Sequence, residues 1–304
     1  MYLGYTKVKK RKGVKNMVLN ETYKMNNGLE IPKIALGTWL IDDEKVAESV
    51  RQAIKMGYRH IDTAQGYENE RGVGEGVRTC GIEREKIFVT SKVAAENKSY
   101  NLAKNSIDKS LKSMGLDYID MMIIHSPQPW VEVNRSENRY FEENKEVWAA
   151  MQDAVQEGKV KTIGVSNFLK EDIRNILSVC KIRPAVNQVL SHISNTPFDL
   201  IDYCKEENIL MEAYSPIAHG EILKNEEVLK IAKKYGVTVA QICIKYNLQL
   251  GMVVIPKTDK PDHMKSNADL DFVISDEDME ILKRIKPIDY GASGKYPIFG
   301  GLWG

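Results

Sequence analysis

Tyr118-Ile-Asp-Met-Met-Ile-Ile124-His125 is an apolar run of strand length that ends on an ionisable residue. Ahead of it, Ile107, Leu111 and Met114 recur at three- and four-residue spacing, the period of one buried helix face. A helix followed by a short apolar strand is half of a βα repeat, and the repeat recurs along the chain. Comparable runs lie at Ile34-Leu36, Tyr58-Ile61, Ile87-Thr90, Thr162-Val165, Ala185-Val189, Leu210-Ala213 and Val253-Ile255, making eight in all. Helical stretches separate them, as with Val46, Val50 and Ile54 after the first. Eight such units in one chain favour a closed barrel over an open sheet.

The flanks fit that frame. Tyr23-Lys24-Met25 and Leu29-Glu30-Ile31 bracket Asn26-Asn27-Gly28, and an Asn-Gly pair suits the positive φ values of a tight hairpin turn. Such a hairpin is placed to plug the bottom of the barrel. Ser275 to Ile285 reads as a capped extra helix, and Pro287 to Gly304, rich in glycine and aromatics, as an ordered or semi-ordered loop. The fold expected is therefore α/β, a (β/α)8 TIM barrel with an N-terminal β-hairpin and a C-terminal extra helix and loop, one domain over residues 17–304.

Composition agrees with one large core: 304 residues, 43% hydrophobic and 28% charged. The net charge of +1, with no basic stripe interleaved with aromatics, gives no reason to expect nucleic acid. The longest apolar runs, such as Met121-Ile124 and Met252-Ile255, fall far short of a membrane span. Cys80, Cys180, Cys204 and Cys243 are scattered without a Cys-x-x-Cys pair, which suits idle thiols in a reducing, cytoplasmic compartment. Residues 1–16 carry six basic side chains and no acid. They lack the apolar stretch of a secretory signal, so a solvated, disordered extension is the reading preferred over a membrane or nucleic-acid arm.

In a βα barrel, chemistry belongs at the C-terminal ends of the strands. Asp62 follows the second run, Lys92 the third and His125 the fourth, while Tyr67 lies in the loop after Asp62. Reduction of a carbonyl needs a proton for the oxygen on which negative charge develops, and a tyrosine hydroxyl has the reach. A free phenol, with a pKa near ~10, is a sluggish acid. A neighbouring ammonium stabilises the phenolate left behind, and a carboxylate keeps that ammonium charged and oriented. Tyr67, Lys92 and Asp62 make sense as such a trio, with His125 fixing the carbonyl oxygen.

Gly57-Tyr-Arg-His-Ile-Asp-Thr-Ala-Gln-Gly-Tyr67-Glu-Asn-Glu70 closely resembles the signature segment of the aldo-keto reductases. Ser91-Lys92, Ile123-Ile-His125, Gly164-Val-Ser-Asn-Phe168, Asn187-Gln-Val189, Ala213-Tyr-Ser-Pro216 and Ile255-Pro-Lys-Thr258 extend the resemblance over nearly the whole chain from about Met17. It implies a (β/α)8 barrel that binds NADP(H) across its top, with Asp62, Tyr67, Lys92 and His125 matching the catalytic tetrad. Ser166, Asn167 and Gln188 match residues that hold the nicotinamide carboxamide, and Tyr214 the ring on which nicotinamide stacks. Ser215 and Pro216 resemble the start of the pyrophosphate strap. Lys257 and Thr258 match the pair at the adenosine 2′-phosphate, ahead of a short helix near Pro261 whose amides favour an anion.

Some positions depart from the family pattern. His263 stands where an Arg is usual and Ser266 where a Glu is usual, while Asn267 is retained, so NAD(H) is an alternative cofactor. Ala94 and Ser191 replace frequent aromatics, which should widen or reshape a substrate pocket still lined by Trp39 and Trp130. The segments around Ile255 and Ala240-Gln-Ile-Cys243 resemble the prokaryotic branch that includes the 2,5-diketogluconate reductases. That resemblance implies a small-molecule carbonyl substrate (aldehyde, dicarbonyl or keto-sugar) and a monomer or weak homo-oligomer. The competing reading is a non-catalytic NADP(H)-binding barrel with a regulatory or structural role.

Other eye-catching residues have plainer readings. His60 shares a strand face with Asp62 but one layer deeper, where a core histidine is expected. Gly72-Val-Gly-Glu-Gly76 lacks the strand-to-helix context of a dinucleotide loop and reads as close helix-barrel packing. His192 and His219 lack metal-site spacing, and no metal is expected. Ser166 has no His or Asp placed to activate it as a nucleophile.

Overall fold

The computed structural model of the protein describes residues 17–301. The expected basic extension, residues 1–16, and residues 302–304 lie outside that range. A hairpin of β1 (Thr22–Lys24) and β2 (Glu30–Pro32) comes first. Eight parallel strands follow: β3 (Leu36–Gly37), β4 (His60–Asp62), β5 (Phe88–Val93), β6 (Ile119–Ile124), β7 (Val160–Ser166), β8 (Val186–Leu190), β9 (Leu210–Tyr214) and β10 (Val253–Ile255). The helices are α1 (Asp43–Lys55), α2 (Glu70–Arg78), α3 (Tyr100–Met114), α4 (Phe141–Gln156), α5 (Lys170–Leu177), α6 (Phe198–Glu206), α7 (Glu226–Tyr235), α8 (Val239–Gln249), α9 (Pro261–Ala268) and α10 (Asp276–Lys283).

The strands run in sequence order around the sheet, and parallel bridges Ile34–Val254 and Gly37–Lys257 join the first to the last. Ala35 N–H donates to Val254 O at 2.9 Å and Gly37 N–H to Pro256 O at 3.1 Å, so the ring is closed. Closure explains why most strands read as near-continuous apolar runs. The inner face is filled by side chains and the outer face is covered by helices, so neither face alternates with water.

The hairpin does plug the bottom. Gly28 turns at φ +86°, and Asn26 Nδ2 donates to Pro184 O at 2.7 Å and Asn208 O at 3.1 Å, just ahead of β8 and β9. Asn27 Nδ2 reaches Thr162 Oγ1 at 2.7 Å. Met25 and Ile31 then pack on Met121, Ile123, Ala185, Val186 and Val253 at the barrel floor. At the other end of the chain, Ser275 caps α10 by accepting from Asp278 N–H, as its sequence suggested.

The glycines of α2 close-pack, but against helices and not the barrel wall. A Cβ on Gly74 would collide with the Met114 backbone at the end of α3, and one on Gly72 with Asp43 O of α1. One on Gly76 would lie 2.7 Å from Val50 Cβ of α1. The glycines let α2 sit unusually close between its two neighbours.

Candidate active site

Asp62 is the last residue of β4, and the register Asp62↔Thr90 puts Lys92 two residues further along β5 on the same inner face. Lys92 Nζ donates to Asp62 Oδ1 at 2.6 Å and to Thr63 O at 2.8 Å, with both side chains essentially excluded from solvent. Tyr67 ends the 3₁₀ turn Gln65–Tyr67, and Nζ stands 4.9 Å from its ring centroid. The turn is held from all sides. Thr63 Oγ1 donates to Asn69 Oδ1 at 2.8 Å, and Asn69 Nδ2 donates to Thr38 O and Ile41 O at 2.9 Å each. Gln65 bridges Ser110 and the Ala94 amide. His125, just beyond β6, meets the Tyr67 ring edge-on with centroids 5.6 Å apart. The four ionisable residues picked from the sequence thus converge on one point at the strand ends.

Burial raises the Tyr67 pKa; Lys92 opposes that rise and Asp62 adds to it, leaving a phenol protonated at rest. For Lys92, burial pulls downward, yet Asp62 and Tyr67 together outweigh it and hold the ammonium above the ordinary lysine value. Burial, with Lys92 nearby, pushes His125 well below its usual range, so the imidazole is neutral. His60 lies deeper, Nε2 2.9 Å from Thr90 Oγ1 and the ring edge-on to Phe88, its pKa lowered by burial to about 3. It is a neutral core histidine.

The next strands supply amides and a ring. Ser166 ends β7 and its Oγ donates to Gln188 O at 2.8 Å. Asn167 takes up φ +61°, which aims Nδ2 at His125 O, 2.9 Å away, and lets Oδ1 accept from Tyr214 Oη at 2.7 Å. Tyr214 ends β9, partly exposed. From Ser215 to Gly220 the chain is contorted, with positive φ at Ser215, Ala218, His219 and Gly220, a backbone that persists only where its surroundings hold it. Pro216 lies inside that stretch. Lys257, Thr258, His263 and Asn267 form a separate group along the β10–α9 connection. Lys257 and His263 are exposed, Thr258 and Asn267 buried.

Trp39 and Trp130 flank the tetrad. Trp39 packs 6.5 Å from Tyr67 by ring centroids, and Trp130 stands edge-on to His125 at 5.1 Å. Two further aromatic neighbours, His219 at 5.1 Å and Tyr296 at 5.2 Å, close around Trp39. Phe299 packs on His219 at 4.8 Å, which seats the C-terminal loop beside the cleft. One expectation fails. Ser191 does not widen the pocket, because it is fully buried with Oγ donating to Asn247 Oδ1 of α8 at 2.9 Å. Its hydroxyl belongs to the packing between barrel and helix.

The model of the aldo/keto reductase family matches residues 33–287. The chain belongs to that family. Glyoxal reductase of Bacillus subtilis is 40% identical over 264 residues, covering 86% of this chain and 91% of that protein. An aldo/keto reductase structure from Brucella melitensis superposes with a TM-score of 0.82 at 34% identity, covering 90% of this chain and 99% of that one. An aldo-keto reductase of Bombyx mori, in complex with NADP, gives 0.77 at 31% identity, covering 92% and 98%. As an aldo-keto reductase, the chain is an oxidoreductase. Among the described residues, no group of three or more His, Cys, Asp or Glu is placed to hold a metal, and no helix is long and apolar enough to cross a membrane.

Sequence reasoning missed Glu212. It is fully buried in β9, and its only signal was an acid interrupting the apolar run Leu210-Met-Glu-Ala213. His219, Tyr296 and Phe299 were missed as pocket neighbours because loops far apart in the chain bring them together.

Proposed function

We propose that this reductase converts small aldehydes, and dicarbonyls or keto-sugars among them, to alcohols with NADPH, Tyr67 delivering the proton. The observation that carries the reading is the buried Lys92 ammonium, 2.6 Å from Asp62 Oδ1 and 4.9 Å from the Tyr67 ring centroid. The bound cofactor supplies the hydride. Neutral His125 donates to or orients the carbonyl oxygen, and Tyr67 Oη gives that oxygen its proton. Lys92 stabilises the phenolate as it forms, and Asp62 keeps Lys92 charged. Trp39 and Trp130 exclude water around the substrate.

The residues present suit a nicotinamide dinucleotide. A partly exposed Tyr214 ring tied to the Asn167 amide, with the Gln188 amide one strand over, matches a flat aromatic carboxamide. The first-turn amides of α9, with exposed Lys257 beside them, match a phosphate. NADP in the Bombyx mori relative supports the phosphorylated cofactor, with His263 leaving NADH as the weaker partner. The likeness to glyoxal reductase supports dicarbonyls ahead of the keto-sugars of the 2,5-diketogluconate branch. Four free cysteines, two of them only half-buried, fit a cytoplasmic protein.

The test is loss of NADPH absorbance with a panel of glyoxal, methylglyoxal, simple aldehydes and keto-sugars. Tyr67→Phe should lower kcat by about 10²- to 10⁴-fold while NADPH still quenches tryptophan fluorescence. NADPH binding without turnover, unaltered in Tyr67→Phe, would replace this reading with that of a non-catalytic barrel.

A further inference from the structure

Asp62 is not the only carboxyl in the barrel interior at this level. Glu212 on β9 is fully buried, and its Oε2 accepts from Gln188 Nε2 at 3.1 Å. The same nitrogen donates to Asp62 Oδ2 at 2.9 Å, so one amide group spans the two acids. The register produces this contact, since Glu212 pairs with Gln188 on β8 and with Val253 on β10. Glu212 Oε1 is buried without a partner.

An ionised Glu212 would set a second negative charge beside Asp62, with Lys92 the cation acting on it among the described residues, at a steep desolvation cost. The charged groups acting on it are Asp62 from β4 and Lys92 from β5. From its own neighbours, β8 offers the Gln188 amide and β10 the apolar Val253. Burial first, then Asp62, push its pKa up to about 8, so at neutral pH the carboxyl is mostly protonated. With both Gln188 N–H bonds directed at the two carboxyls, the carbonyl oxygen of Gln188 is what remains for a cofactor amide.

We propose that Glu212 is a positioning residue of the reductase: its carboxyl locks the Gln188 amide, which in turn braces Asp62 against Lys92 and fixes the cofactor's amide end. The inference rests on the functional reading above. Glu212→Leu removes the acceptor and orphans a buried N–H of Gln188, which should raise the NADPH dissociation constant about tenfold and lower kcat as well. Glu212→Gln keeps an acceptor for Gln188 and cannot ionise. It should restore most of what the Leu variant loses, and the fall of kcat/KM expected in wild type once a second charge forms beside Asp62 should move to higher pH.

The experiment measures NADPH affinity by tryptophan quenching, and kcat and KM from about pH 6 to about pH 9, for wild type and both variants. Wild-type affinity and kcat in a folded Leu variant would overturn the proposal. So would an unshifted pH profile in the Gln variant, which decides the matter should the Leu variant fail to fold. If wild type reduced none of the carbonyls, the functional reading would fall, while the affinity comparison would still judge Glu212.

Discussion

His263 is exposed in the first turn of α9, where the fork of an arginine would present two parallel donors to a phosphate. An imidazole offers no such parallel pair, so on the proposed reading recognition of a 2′-phosphate falls mainly to Lys257 and the helix amides. His263→Arg should therefore lower the KM for NADPH about tenfold relative to that for NADH, as read from initial rates with each cofactor. An unchanged ratio would mean that this side chain does not face the phosphate. The convergence of these four side chains was legible from the sequence because Asp62 and Tyr67 share one short segment and Lys92 and His125 sit at strand ends, where topology alone puts them together. Glu212 was not legible. An acid in an apolar strand has no meaning until barrel closure brings β9 within an amide's reach of Asp62. Ser191 misled for the converse reason, since a small residue after a strand says nothing about which side of the wall it faces.

Helix α2 shows what local pattern could and could not specify. Its glycines were correctly read as packing residues and not as a dinucleotide loop, but the partner was misread, because composition reports close approach without naming the surface approached. The first strand likewise runs Leu36–Gly37 where Ile34-Leu36 was expected, its earlier residues making only the bridge that closes the ring. The helix contacts carry a cost that can be measured. A Cβ on Gly74 would fall on backbone atoms of Met114, which cannot rotate away. Gly74→Ala should lower the unfolding free energy by about 3 kcal/mol, overriding the helix propensity gained with alanine. At Gly294, where an added Cβ meets nothing within 4 Å, the same substitution should stay within about 0.5 kcal/mol in denaturant melts. Equal effects at both sites would mean that α2 has room to shift from α3.

A βα barrel separates its two ends, with conservation of fold at the bottom and chemistry at the top. Here the bottom is sealed by a hairpin whose Ile31 is fully buried among Met121, Ile123 and Val253, and the tetrad lies at the opposite strand ends. The same strands serve both, since β6 carries Met121 in the cluster packed on the hairpin and delivers His125 just past its end. Rigid strands should transmit little of a small cavity at one end to geometry at the other. Ile31→Ala should therefore lower the unfolding free energy by about 2–5 kcal/mol while leaving kcat and NADPH affinity close to wild type at temperatures where the variant stays folded. Thermal melts and initial rates on the same samples would decide it. A large loss of kcat in a folded Ile31→Ala protein would show that the plug tunes the strand ends, and the hairpin would then have to be counted as part of the catalytic scaffold.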